Sequence, residues 1–188
     1  MAQNVETAIE NAQRALGNVQ SVTYSGSARS VAFQQCGANA TALRCEGTHD
    51  PMRPITNYER VIDLRAPASR HTGDTMNLGG GGSTAIVPGT FFQQVTADQA
   101  DLSESWANSL ELYITPWGFL NGAEENGATS NRRSINGKNF TVVSWSPDVK
   151  APSGASYVIN GYINSDNFVE HVETWVGDNI MGDMHIFA

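Results

Sequence analysis

An Asn-Gly pair at Asn136-Gly137 separates two strand-like runs in the last third of the chain. Asn-Gly is the pair that a type I′ hairpin turn requires, because both central residues must adopt positive φ. Two more strand-like runs follow, on either side of the turn-forming residues 164–167. The four runs are Arg132 to Ile135, Phe140 to Trp145, Tyr157 to Ile163 and Phe168 to Val176. Together they predict a meander of antiparallel strands.

The residues before this meander predict a helix, further strands and a helical pair. Residues 4–16 place apolar side chains at helical spacing along one face, and Gly17 follows as a C-cap. Alternating patterns typical of strands lie in Ser21 to Phe33, Asn57 to Leu64, Ser69 to Met76 and Phe91 to Val95. Helical spacing returns over 101–114, and Thr115-Pro116 caps and begins a second short helix. The sum is an α+β fold, in which an antiparallel β-sheet carries an N-terminal helix and an inserted helical pair.

Length and charge limit the partners that we expect. The chain has 188 residues, 40% of them hydrophobic and 16% charged, which predicts one folded domain over 1–188. Its formal net charge is -8, and the nearest approach to a basic patch is Arg132-Arg133, so nucleic acid is not an expected partner. No run of residues approaches the roughly 20 apolar residues that cross a bilayer, so we expect no transmembrane segment. The oligomeric state is left open.

Two cysteines, Cys36 and Cys45, lie nine positions apart in a polar stretch from Gln34 to Asp50. No second cysteine pair or histidine pair at zinc-site spacing accompanies them, which favours a disulfide. The alternative is two unpaired thiols in a reducing compartment. A disulfide would favour a periplasmic or secreted protein.

No complete catalytic or metal site can be assembled from the sequence, and no cofactor is expected in this segment. The four histidines lack the helical i, i+4 spacing and the H-x-H strand spacing that favour a shared zinc ion. His171-x-Glu173 and Asp183-x-His185 each place an imidazole and a carboxylate on one face of a strand, where a solvated polar pair is the simplest interpretation. There is no serine on a G-x-S-x-G turn.

Aromatic residues are the better candidates for a functional site. Most of them should lie in the hydrophobic core, but some could line a pocket for an acyl chain or another apolar ligand. The candidate ligand-binding residues are Tyr24, Trp106, Trp117, Phe119, Phe140, Trp145, Tyr157, Tyr162 and Trp175.

Turn and strand motifs in several segments carry a resemblance to a known family. The segments are Ile114 to Leu120, Ile135 to Lys138, Val142 to Ser144, Asn160 to Asn164, Val172 to Val176 and Gly182 to Met184. They resemble the N-terminal LolA-like region found ahead of the catalytic domain in bacterial exported metallo-β-lactamase-fold hydrolases. The resemblance implies a curved sheet, a half-barrel that wraps helices and can leave an apolar cavity.

The resemblance also implies a function. It predicts a non-catalytic accessory or substrate-binding domain, partnered by a zinc-dependent hydrolase domain of the same protein. The H-x-H-x-D-H signature of that hydrolase domain does not occur in these residues, so we expect either a fragment of a longer two-domain chain or a short relative. The alternative is a stand-alone periplasmic carrier of lipid or another hydrophobic small molecule.

Overall fold

The computed structural model describes residues 4–17, 19–30, 53–65, 68–76, 86–96, 110–178 and 182–188. These residues belong to two compact units. The first unit spans 1–22, 62–69 and 95–188, and the second spans 23–61 and 70–94. The expectation of a single domain stays a prediction.

Two helices and nine strands are described. The helices are α1 (Val5–Leu16) and α2 (Pro116–Glu125), and residues 110–113 are also helical. The strands are β1 (Ser21–Ser30), β2 (Arg53–Asp63), β3 (Ala68–Met76), β4 (Ile86–Thr96), β5 (Thr129–Ile135), β6 (Lys138–Trp145), β7 (Ile159–Ile163), β8 (Val169–Asp178) and β9 (Gly182–Phe187). They form a four-stranded sheet, ordered β1-β2-β3-β4, and a five-stranded sheet, ordered β5-β6-β7-β8-β9.

The predicted antiparallel meander is confirmed in the five-stranded sheet. Asn136 and Gly137 both have positive φ, 50° and 80°, and Ile135 pairs with Lys138 across the turn. Each later strand pairs antiparallel with the one before it, and a bulge shifts the register between Tyr162 and Ile163. The α+β class is therefore shown, whereas the curved half-barrel stays a prediction.

Both helix predictions that fall on described residues are confirmed at their caps. Asn4 precedes α1 and its side chain accepts from the backbone N–H of Glu6, while Gly17 ends the helix at φ 82°. Thr115 accepts from the N–H of Gly118, and Pro116 occupies the first turn of α2. Of the first helix of the predicted pair, residues 110–113 are described as helical.

One face of the five-stranded sheet, here called the inner face, packs against α2, and α1 packs against α2 in turn. The buried side chains of this core include Val143, Trp145, Ile159, Val172 and Val176 from the strands. From the helices, Ala8, Ile9, Ala12, Phe119, Leu120 and Ala123 join them. The amphipathic pattern of α1 is explained by this contact, because its apolar side is the side that is buried.

Two glycines let α2 approach the sheet closely. A Cβ atom on Gly161 of β7 would lie 2.2 Å from the Phe119 ring, and one on Gly122 of α2 would lie 2.3 Å from the Trp145 ring. Each glycine therefore provides the space that a large ring from the opposite element fills. Full burial of a side chain such as Phe119 stabilises the folded state by about 2–3 kcal/mol.

The second unit contains most of the four-stranded sheet. The buried side chains of this unit include Ile55, Arg60 and His71. Tyr58 Oη lies 2.9 Å from His71 Nδ1, and the Arg60 guanidinium donates to Tyr24 Oη at 3.2 Å. This unit therefore places hydrogen-bonded polar side chains between its strands.

We expect Gly161→Ala to lower the free energy of unfolding by about 1–3 kcal/mol, because the new methyl group overlaps the Phe119 ring. Phe119→Leu alone should also destabilise the protein, through the volume lost from the core. Together the two changes should cost less than their sum by about 1 kcal/mol or more, since the smaller side chain makes room for the methyl group. Urea unfolding followed by tryptophan fluorescence measures all three variants, and strictly additive effects would contradict this packing.

Candidate functional site

The opposite face of the five-stranded sheet, here called the outer face, carries polar and aromatic side chains. Alternation along the strands separates the two faces, so that Val143, Gly161 and Val172 pair across the inner face while Val142, Tyr162 and His171 pair across the outer one. On the outer face the aromatic and imidazole rings form what is here called the ring row. Its members are Phe140, Tyr162, His171, Phe187, His185 and Trp175.

Neighbouring rings in the row lie close enough to contact one another. Phe140 meets Tyr162 edge-on at 6.0 Å, and Tyr162 lies 5.5 Å from His171. Phe187 lies 6.1 Å from His171 and 5.3 Å from His185. At the far end His185 stacks on Trp175, with centroids 4.2 Å apart and planes 7° from parallel. The row therefore runs from β6 across β7 and β8 to β9, and returns to β8 at Trp175.

The two ends of the row differ in exposure. Phe140 and Tyr162 are buried, whereas Trp175 is 56% exposed and Phe187 is 64% exposed. Large aromatic side chains in contact with water lose the free energy that burial would provide. The exposed end is therefore a surface that gains free energy when another molecule covers it.

Glu173 lies at the centre of this face, where it accepts hydrogen bonds from two side chains and lies near a third. Tyr162 Oη donates to its Oε1, and His185 Nε2 lies 2.9 Å from its Oε2. His171 Nε2 lies 3.6 Å from the same Oε2 atom. An ionised carboxylate can only accept, so the hydrogen bond to Oε2 requires His185 to carry its proton on Nε2. The carboxylate thus fixes the orientation of rings on three strands.

These contacts shift the pKa values of the two central groups. Partial burial raises the pKa of Glu173, but hydrogen bonds from Tyr162 and His185, with the charges of both histidines, outweigh it and leave that pKa lowered. Burial, followed by the hydrogen bond and charge of Glu173, raises the pKa of Tyr162 despite an opposing effect of Arg133. Glu173 is thus held as an anion and Tyr162 as a neutral donor.

A groove of about 480 Å³ opens beside Glu173. Its volume lies within the range of about 300–1,000 Å³ that is common for small-molecule sites. Phe140 and Tyr162 line it, and the Lys138 ammonium reaches Glu170 at 2.7 Å beside it. The remaining lining includes Ile135, Asn136, His171 and Glu173. Polar and charged side chains therefore outnumber Phe140 and Tyr162 in the lining.

The formal charges around the groove balance at neutral pH. Arg133 and Lys138 contribute two positive charges, and Glu170 and Glu173 contribute two negative charges. Within the described ranges no group of three or more His, Cys, Asp or Glu side chains is suited to hold a metal ion. In the Glu173 cluster both imidazole Nε2 atoms lie nearest a single carboxylate oxygen.

The structure divides the nine aromatic residues that the sequence singled out. Phe140, Tyr162 and Trp175 come together on the outer face, whereas Phe119, Trp145 and Tyr157 are buried in the core of the inner face. Tyr24 belongs to the second unit. Trp106 and the predicted Cys36-Cys45 disulfide lie outside the described residues.

Trp117 lines a different groove, of about 580 Å³, beside α1 and α2. Charged side chains stand around this groove, among them Glu10, Arg14, Arg65 and Glu124.

Sequence reasoning did not single out Phe187, and it left His171, Glu173 and His185 as simple polar pairs. Alternation of side chains was the sequence signal that could have found these residues. It places His171, Glu173 and Trp175 on one side of β8, and His185 and Phe187 on one side of β9. The pairing of Trp175 with His185 and of Glu173 with Phe187 then brings the two strands' side chains together.

No model of a known protein family matches the chain, and no curated protein matches its sequence. The resemblance to the region ahead of metallo-β-lactamase-fold hydrolases therefore stays a prediction. Among the described residues, no helix has the length and hydropathy needed to cross a membrane.

We expect Glu173→Gln to lower the free energy of unfolding by about 1–2 kcal/mol at neutral pH, because a charged acceptor of two hydrogen bonds is lost. The folded-state pKa of Glu173 is lowered from its ordinary 4.5, so its charge stabilises the fold above that value. This stabilisation is lost as the pH falls below 4.5 through the lowered folded-state pKa. The difference between wild type and Glu173→Gln should therefore shrink over that range.

Urea unfolding at a series of pH values tests this prediction. Glu170→Gln is the matched control, since Glu170 is an exposed carboxylate paired with Lys138. Its smaller effect should vanish in about 1 M salt, which screens exposed charges, while the effect at Glu173 persists. A Glu173→Gln deficit that stays constant from neutral pH to pH values well below 4.5 would contradict the assignment.

Proposed function

We propose that this chain is a non-catalytic binding domain that holds an uncharged, ring-containing organic molecule on the outer face of the five-stranded sheet. The ligand occupies the groove beside Glu173 and extends over the exposed end of the ring row. One observation carries the proposal. Trp175 and Phe187 are more than half exposed, yet they belong to an ordered series of ring contacts that ends at a groove beside Phe140 and Tyr162.

The geometry of the Glu173 cluster supports binding rather than chemistry. Its hydrogen bonds are directed inward, because Tyr162 Oη and His185 Nε2 both bond to Glu173. These contacts stabilise the ionised carboxylate and lower its pKa, which makes Glu173 a weaker general base than an ordinary carboxylate. The cluster therefore serves to hold the rings in fixed positions, which lowers the entropy lost when a ligand binds.

Charge balance supports an uncharged ligand. The two cations and two carboxylates around the groove give no net field that would favour either sign. The chain as a whole carries a net charge of -8, which opposes the approach of nucleic acids and other polyanions. A neutral molecule is not subject to this repulsion.

This proposal agrees with the substrate-binding role that the sequence suggested for an accessory domain of an exported metallo-hydrolase. A ligand held on the outer face could be presented to a partner domain of the same protein. Export to the periplasm or beyond belongs to the same proposal.

The alternative role as a carrier of hydrophobic ligands has less support. An acyl chain on the inner face would compete with Phe119 and Trp145, which already fill the space between α2 and the sheet. The groove beside Trp117 is bordered by charged side chains such as Arg14 and Glu124. Burying an acyl chain there would desolvate those charges without pairing them.

Ligand-observed NMR with small uncharged ring compounds tests the proposal. Benzyl alcohol, cyclohexanol and methyl pyranosides serve as probes, with saturation transferred from the protein to any probe that binds. We expect transfer to at least one probe, and a loss of roughly three- to ten-fold in affinity for Trp175→Ala and for Phe187→Ala, since each removes one ring contact.

Phe168→Ala is the control variant, because Phe168 is 46% exposed in the turn between β7 and β8 and precedes the outer-face residues of β8. It should bind the probes as the wild type does. Absence of transfer to every probe, or equal losses in all three variants, would overturn the proposal.

A further inference from the structure

We infer that the ligand is a saccharide of at least two pyranose units, with one unit in the groove and the next over Phe187 and Trp175. This inference rests on the proposed function, since it assigns a chemical class to the molecule bound at the same site. A pyranose has a face of C–H groups and a rim of hydroxyl groups. A site for it therefore needs a flat aromatic surface surrounded by hydrogen-bonding side chains.

The groove and the exposed rings beside it provide this combination between them. Phe140 and Tyr162 line the groove but are largely buried, so the exposed ring surface is that of Phe187 and Trp175. The Asn136 amide, Lys138, Glu170 and His171 supply polar groups in the groove. Lys138 Nζ and Glu170 Oε1 lie 2.7 Å apart, so a donor and an acceptor stand side by side. Two neighbouring hydroxyl groups of a sugar can accept from the ammonium and donate to the carboxylate at once, and such charge-assisted hydrogen bonds are the stronger ones.

The ring row continues beyond the groove at the point where a second sugar unit would lie. His171 borders the groove, and the Phe187 ring is 6.1 Å from it. Phe187 in turn lies 5.3 Å from His185, which stacks on Trp175. Phe187 and Trp175 are the most exposed rings of the row, so a second sugar unit could place its C–H face on them.

Other ligand classes fit this surface less well. An acyl chain would leave Lys138, Glu170 and the Asn136 amide desolvated without new partners, which costs free energy. A quaternary ammonium ion is bound by a cage of ring faces, but here His185 covers one face of Trp175 by stacking on it, and Phe140 and Tyr162 are buried. A single-stranded nucleic acid could stack its bases on the rings, but the net charge of -8 repels its phosphate groups.

Native gels that contain neutral polysaccharides, followed by titration calorimetry with oligosaccharides of one to six units, test this inference on the full chain. The panel covers β-1,4-glucans, xylans, α-1,4-glucans and chitin fragments. We expect at least one polysaccharide to retard the wild type, and affinity for its fragments to rise by roughly three- to ten-fold from one unit to two.

Phe187→Ala should remove that gain, so that one-unit and two-unit fragments bind this variant with similar affinity, because the second unit lies over Phe187. Phe168→Ala should behave as the wild type. These outcomes together would support the inference.

Three results would overturn it. If no saccharide binds while the benzyl alcohol or cyclohexanol probe still shows saturation transfer, the sugar assignment fails and the proposed function stands. If single units bind with no gain for longer fragments, the two-unit arrangement fails. If neither saccharides nor the other ring probes bind, both the inference and the proposed function fail.

Discussion

The contact between Phe119 and Gly161 determines how the first unit is built. Phe119 projects from α2 onto the middle strand of the five-stranded sheet, at the one residue type that leaves room for its ring. In the same way, the Trp145 ring of β6 packs against Gly122 of α2. Helix and sheet thus each contribute a ring that fills the space above a glycine of the other. Because side chains alternate along a strand, fixing the inner face in this way also fixes which residues face outward. A slip of one residue in β7 would exchange Gly161 with Tyr162 and break both the core and the Glu173 cluster.

Much of this fold could be read from the sequence, because the decisive signals were local. The turn at Asn136-Gly137 and the caps at Asn4 and Thr115 depend only on the conformational preferences of a few neighbouring residues. The longer strands β2 and β4 were harder to predict, since their proline and glycine residues interrupt the pattern. Pro54 and Pro88 lie within strands that the sequence pattern alone would have begun later.

The candidate site was only partly predictable, because it depends on pairing between strands. Alternation could place His171 and Glu173 on one face, but it could not bring His185 to the same carboxylate. That convergence requires the register of β8 with β9, and the Tyr162 hydrogen bond requires the pairing of β7 with β8. The nine aromatic residues therefore form one undivided set of candidates at the level of sequence. Alternation of side chains along β6 nevertheless places Phe140 and Trp145 on opposite faces of the sheet. The same alternation, applied to each strand, separates the aromatic residues of the outer face from those of the inner face.

The Glu173 cluster and the exposed rings are best understood together. A partly buried carboxylate is costly unless hydrogen bonds compensate, and here the compensation comes from the same strands that carry the rings. The cluster thus orders His171 and His185, and His185 orders Trp175 by stacking on it. Trp175 and Phe187 themselves contribute little to the core, because more than half of each remains in water. Exposed rings of this size favour aggregation, and the proposed ligand contact accounts for their presence at these two positions.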